Sequence, residues 1–182
     1  MSDDIHEVYA VAYGSHPRMR SENYVFGDPH DEMTPFSYYV WVIKGPQGTY
    51  VVDTGFDEVA AKERARTLTH PVGEGLKAIG VDPDKVESVI VTHMHWDHAG
   101  NHGLFPKARY HIQDTEMAYA TGRCMCHQML RIPFNESDVH AMVSKVFAYR
   151  CEFHDGADGL APGITLPKLG CHSKGLQFVR VK

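Results

Sequence analysis

The 182-residue chain has no apolar run long enough to cross a bilayer. Its longest clean run covers residues 38–43. Basic charge is in deficit, with 18 Lys and Arg against 23 Asp and Glu and a net charge of −5. That balance argues against a nucleic-acid or anionic-membrane footprint. Cysteine is scarce, at four residues, which excludes a small disulfide scaffold. The opening Met1-Ser2-Asp3-Asp4 is acidic with no apolar stretch behind it, so the sequence predicts no secretory signal, free thiols and a cytoplasmic location. Repeats, low-complexity tracts and linkers are also missing. What remains is ordinary for one globular domain spanning residues 1–182: 43% hydrophobic and 23% charged residues. The unusual abundance is histidine, 13 in all.

The periodicities predict strands first. Residues 36–43 are apolar on both alternating faces, which predicts a strand covered on both sides. A Gly-Pro turn at 45–48 then leads to a second strand over 49–53, ending in Val52-Asp53-Thr54-Gly55. Helix is expected over 57–68 and 72–79, the latter stopped by Gly80. The β-branched run 89–91 predicts a buried strand, and 109–112 another. Asp114 can cap a helix through about 121, residues 123–131 are ambiguous, and 137–149 carry one apolar helical stripe. The tail returns to strands at 151–154, 164–169 and 176–181. This order predicts an α/β layered fold with a mixed sheet.

The chemistry concentrates after the buried strand, in Thr92-His93-Met94-His95-Trp96-Asp97-His98-Ala99-Gly100-Asn101. In extended chain, residues two apart share a side, so His93 and His95 can grip one ion. A turn after Trp96 can aim Asp97 and His98 at a second point. Two metals about 3.5–4 Å apart can then share a bridging hydroxide. Imidazole with carboxylate suits zinc, iron, manganese or cobalt rather than calcium or magnesium. The carboxyl end of a strand is also where α/β sheets place their sites. A polar loop with chance histidines would not gather ligand-type residues so tightly.

His93-x-His95-x-Asp97-His98 after a buried strand resembles the signature of the metallo-β-lactamase superfamily. Val51-Val52-Asp53-Thr54-Gly55 resembles its upstream turn, and Gly170-Cys171-His172-Ser173-Lys174-Gly175 sits where the family carries its next histidine. Within that superfamily the 38–55 hairpin and the 92–101 loop look most like N-acyl homoserine lactone lactonases. The resemblance implies an αββα sandwich and one or two zinc ions, with iron, manganese or cobalt as alternatives. It implies that His93, His95 and His172 hold the first metal, that Asp97 and His98 serve the second, and that Asp53 steadies the loop. The activity it implies is quorum quenching: hydroxide held by the metal opens a small-molecule lactone or ester, with Asp97 moving the proton. The same motif is shared by thioester hydrolases of the glyoxalase II kind and by mono-iron persulfide dioxygenases. An inactive metal-binding fragment is a further alternative.

The family pattern continues with a bridging carboxylate and a further histidine, yet no Asp, Glu or His follows His172. The sequence therefore predicts a sandwich whose second half is incomplete, with the C-terminal part missing. Asp155 or Asp158 are the candidates left to complete the second site. An exposed sheet edge near the C-terminus would favour a homodimer. Cys171, where the family commonly has glycine, could crowd its turn or become a stray ligand. Cys124 and Cys126 are expected to be ordinary buried thiols, His102 and His111 to support the ligands from behind or lie at the surface rather than ligate, and Trp96 to pack the loop or line the substrate mouth.

Overall fold

The computed structural model describes residues 5–26 and 30–182. Its strands are β1 (Glu7–Met19), β2 (Met33–Gly45), β3 (Gly48–Val52), β4 (Thr67–Leu68), β5 (Ser88–Ile90), β6 (Arg109–Gln113), β7 (Cys151–His154), β8 (Ala157–Ala161), β9 (Ile164–Pro167) and β10 (Arg180–Val181). The helices are α1 (Glu58–Glu63), α2 (Val72–Ala78), α3 (Asp114–Ala120), α4 (Gln128–Arg131) and α5 (Glu136–Phe147). A seven-stranded sheet runs β4-β1-β2-β3-β5-β6-β7, and a three-stranded sheet runs β10-β9-β8. Strands β1 to β3 pair antiparallel, whereas β3, β5, β6 and β7 run parallel. The expected mixed α/β layering is therefore present.

Alternation along β2 sets the layers. Tyr38, Val40 and Val42 face one way and are buried with Val51, Val89, Tyr110 and Ile112 against the helices. Buried apolar residues of α1, α2, α3 and α5 all join this core. The opposite face is covered by the small sheet, whose Ile164 and Leu166 pack on Ile43, Tyr50, Val52 and Ile90. That coverage stops short of the hairpin's outer half. Tyr39 and Trp41 are 42% and 44% exposed, which corrects the expectation of a strand covered on both sides. The apolar residues of the small sheet and its tail, Ile164 and Leu166 with Leu160, Ala161, Val179 and Val181, gather on Ile43, Tyr50, Val52 and Ile90, a cluster that does not include Tyr39 or Trp41.

Several boundaries move for tertiary reasons. Asp57 caps α1 by accepting from the Ala60 amide at 2.8 Å, but the helix ends at Glu63 rather than residue 68. Thr67 and Leu68 leave it to pair with Ser15 and Gly14 of β1. The N-cap of α3 is Gln113, so Asp114 sits in the first turn instead. The expected strand over 176–181 shrinks to β10 and one bridge, Lys168 to Gln177. Gln177 donates its backbone amide to Thr92 O at 3.0 Å, in the loop just past β5, and so interrupts the ladder. Residues 123–131 form a 3₁₀ turn followed by α4. Cys124 is half-buried and Cys126 exposed, so the expectation of buried thiols there fails: Met125, between them, is the residue this segment packs against the core. No helix among the described residues is long and apolar enough to cross a membrane.

Candidate metal centre

Two strand ends build the centre. Asp53 leaves β3 with φ of +63°, a left-handed conformation that aspartate tolerates better than most residues. The turn it starts holds the histidine loop. Thr54 donates its amide to His98 O at 2.7 Å, and Gly100 donates to Gly55 O at 2.8 Å. A side chain at Gly100 would place its Cβ 2.7 Å from that same Gly55 oxygen, so the two turns can meet only through glycine. Asn101 closes the seam, donating from Nδ2 to Thr54 O at 3.0 Å.

The Asp53 carboxylate is buried and fully used. It accepts from the Thr92 amide at 2.7 Å, from Thr92 Oγ1 at 2.9 Å and from His98 Nδ1 at 2.7 Å. These bonds cross 39 and 45 residues of sequence, so Asp53 is not a local turn aspartate. Thr92 gives its hydroxyl proton to Asp53, which leaves Oγ1 to accept from His93 Nδ1 at 3.0 Å. His93 then presents Nε2 as a bare lone pair. That atom is buried and has no hydrogen-bond partner.

Donor nitrogens of His93, His95 and His172 all lie within 4.8 Å of one another, and among the described residues this is the group arranged to hold a metal ion. His93 and His95 are buried, while His172 is exposed. Burial, then the neighbouring imidazoles His98, His95 and His172, pushes His93 far below the ordinary histidine range. Burial and the nearby His172 push His95 down to about 4. Neutral imidazole is the form that ligates.

Asp97 and His98 adjoin this trio. The His98 ring stacks 4.1 Å from that of His93, and its Nε2 lies 3.5 Å from Asp97 Oδ2. Burial opposes the charge on His98, but Asp53 and Asp97 override it and lift the imidazole to about 10. Burial likewise pushes Asp97 up, and the hydrogen bond and charge of His98 outweigh it, leaving the carboxyl below its usual range. Neither remaining candidate reaches the trio. Asp155 pairs with Lys168 at 3.1 Å, and Asp158 with His154 at 3.0 Å.

Other expectations resolve individually. Trp96 packs the loop rather than lining a mouth: it is 7% exposed, lies 4.8 Å from the Phe56 ring and carries Arg64 over its face at 4.8 Å. His102 is buried with both ring nitrogens unpartnered, and His111 pairs with His154 at 3.1 Å. Cys171 does sit in a strained turn, at φ of +78°. Three residues important to the geometry escape sequence reasoning. Tyr13 donates to Asp97 O at 2.8 Å, Phe134 packs edge-on against His95 at 4.8 Å, and Glu116 binds both histidine loops.

Two cavities flank the centre. A groove of about 460 Å³ between the sheets is lined by Asp53, His93 and His98 on one side and by Trp41, Ile43 and Phe178 on the other. A larger cavity of about 640 Å³ lies between α3 and α5 and contains none of the three histidines, so the groove is the space that meets the chemistry.

Comparison with known proteins follows the same line. Residues 33–165 match the family profile described as metallo-beta-lactamase superfamily. The N-acyl homoserine lactonase AttM of Azorhizobium caulinodans is 34% identical over 107 residues, 52% of this chain and 40% of that protein. The N-acyl homoserine lactonase of Bacillus thuringiensis is 27% identical over 99 residues, 47% of this chain and 40% of its own length. The alignments thus span well under half of these curated relatives. Among solved structures, a quorum-quenching N-acyl homoserine lactone lactonase superimposes with a TM-score of 0.78 at 22% identity, covering 100% of this chain and 70% of that one. AidC, a dizinc quorum-quenching lactonase solved with its product, gives 0.71 at 15% identity, covering 100% and 69%. At such identities these structures establish the fold.

Proposed function

The chain belongs to the metallo-beta-lactamase superfamily, and from that membership we propose that it acts as a metal-dependent hydrolase opening a lactone ring of the N-acyl homoserine lactone type. One observation carries the reading: three histidine donors converge within 4.8 Å, and the innermost, His93 Nε2, is buried without a partner. A buried polar atom left unsatisfied costs about 1–3 kcal/mol unless a ligand meets it. Imidazole donors of this kind fit zinc, and also accept iron, manganese or cobalt. His93, His95 and His172 would hold one ion, and Asp97, with His98 once its Nε2 proton is displaced, would offer donors to a second. When bound, such an ion supplies Lewis acidity and lowers the pKa of coordinated water towards about 7.

The chain's own groups do the remaining work. Asp53 fixes the ring of His98 from Nδ1 and so aims Nε2 at the site. Asp97 remains ionised beside that nitrogen, ready to accept a proton at Oδ2. Trp41, Ile43 and Phe178 give the groove an apolar wall beside His93 and His98, which suits the acyl arm of such a lactone. The relatives named as N-acyl homoserine lactonases support the substrate class. A homodimer through the short β10 edge belongs to the same reading.

The test is metal analysis followed by a ring-opening assay. Protein purified without chelator is expected to carry zinc and to release acid from an N-acyl homoserine lactone as the carboxylate forms. Zinc-loaded protein that leaves the lactone intact but hydrolyses a thioester would overturn the lactone assignment. Bound iron with persulfide oxidation would overturn hydrolysis altogether.

A further inference from the structure

Glu116 lies in the first turn of α3 and is completely buried. Such a residue is rarely found so deep unless its oxygens are fully engaged. Here both are, and each serves a different histidine segment. Oε1 accepts from the Met94 amide at 2.8 Å, the backbone link between His93 and His95. Oε2 accepts from the Gly175 amide at 2.8 Å and from the Ser173 hydroxyl, just beyond His172. Those two segments are separated by more than seventy residues and come from different sheets.

Contact between them is close. A Cβ on Gly175 would stand 2.2 Å from the Glu116 amide nitrogen, so the His172 loop lies directly on the start of α3. Two buried glutamines reinforce the seam alongside. Gln113 Nε2 donates to Gln177 Oε1 at 2.9 Å, and Gln177 Nε2 donates to Val91 O at 2.9 Å. Those bonds join the sheets, but neither glutamine side chain touches the backbone of the His93–His95 or His172–Gly175 segments in these bonds. Glu116 is bonded to both.

We infer that Glu116 is the positioning residue of the metal centre, a single carboxylate that sets the separation of His172 from His93 and His95 before any ion arrives. The inference rests on the metal-site reading above. Glutamine at this position has one oxygen and one NH₂, and in either orientation the NH₂ faces a backbone amide, that of Met94 or that of Gly175, which cannot reverse its role. One side of the clamp would open while the helix keeps its side-chain volume.

The experiment is zinc titration of the full chain against a chromophoric chelator, with thermal unfolding of the metal-free protein alongside. Glu116→Gln is expected to weaken zinc binding about 10–100-fold, the usual effect of removing support from behind a ligand. Met142→Ala removes a fully buried side chain of α5 that contacts Cys151. It is expected to lower the melting temperature while leaving zinc affinity within about two-fold of wild type, as expected for an independent site. If Glu116→Gln fails to fold, Ser173→Ala removes one of the three donors and is expected to weaken zinc several-fold. Zinc uptake that requires His93 but ignores the Glu116 and Ser173 variants overturns the clamp alone. Zinc uptake that survives His93→Ala overturns the metal-site reading and the clamp with it.

Discussion

Asp53 Oδ2 stands 2.7 Å from His98 Nδ1, and the pair joins the end of β3 to the histidine loop across 45 residues. The same carboxylate also holds Thr92, so one buried acid fixes the ring of His98 and, through Thr92 Oγ1, the tautomer of His93. Asp53→Asn keeps the shape and removes the charge. In the metal-free protein, His98 of the wild type is expected to stay protonated up to about 10. In the variant it should titrate roughly 1–3 pH units lower, the effect of losing one adjacent opposite charge. A histidine-resolved NMR titration reads this directly, and an unchanged His98 midpoint would refute the role given to Asp53.

The centre was legible in part because its chemistry is local. His93, His95, Asp97 and His98 fall within six residues at the end of a buried strand, and Asp53 and His172 entered only through the resemblance to the superfamily. The long strand β1 was not legible. Only Val11, Tyr13 and Gly14 along it are buried, and Gly14, Pro17 and the polar residues near them blur the alternation that marks a strand. Tyr13 and Glu116 stayed hidden for a different reason. Their partners lie 84 and 22 to 59 residues away, and no spacing rule reaches that far. The helix expected over 57–68 failed because pairing with β1 outweighed local propensity at Thr67 and Leu68.

Loss of one donor should separate the trio from the other histidines. His172→Ala is expected to lower zinc affinity at least about 100-fold, since first-contact ligands matter more than the groups behind them. His127→Ala, at the junction of the 3₁₀ turn and α4 and outside the convergent group, should leave it unchanged. Equilibrium dialysis with elemental analysis compares the two. Equal losses would mean that the convergent donors are not the binding site.

Gly175→Ala tests the seam from its other side. The added Cβ meets helix backbone at 2.2 Å, not a yielding side chain. Overpacking of this kind costs about 1–3 kcal/mol. Chemical denaturation should show that loss, and a variant as stable as wild type would mean that the loop does not rest on α3.

Acid should destabilise the fold through two histidines outside the trio. Burial, then Lys145, holds His102 down to about 3, and burial with smaller contributions from neighbouring charges holds His111 at about 4, both from 6.5. The unfolded chain therefore takes up protons first, and stability falls as pH drops below about 6.5. Each group contributes up to about 1.4 kcal/mol per pH unit between its two values. His102→Leu should flatten the melting temperature between pH 7 and pH 4, because neither ring nitrogen has a partner to lose. A slope identical to wild type would remove His102 from the acid response.

Asp138 carries the opposite sign. It sits in the first turn of α5, 6% exposed, with Oδ2 buried and unpartnered. Burial, aided by the charge of Asp57 and opposed by a hydrogen bond with Asn135, raises its carboxyl from 3.8 to about 6. The folded state thus binds the proton more tightly than the unfolded one. The stability this contributes is present below about 3.8 and is lost as pH rises through about 6. At pH 7.5 the group is ionised in a place that favours its neutral form. Asp138→Asn, which is neutral at every pH, is expected to gain about 1–3 kcal/mol at pH 7.5 relative to wild type. The gain should vanish near pH 4, where the wild-type carboxyl is protonated in the fold. Paired denaturation curves at the two pH values check this, and a gain that is the same at both would show that the effect is packing rather than charge.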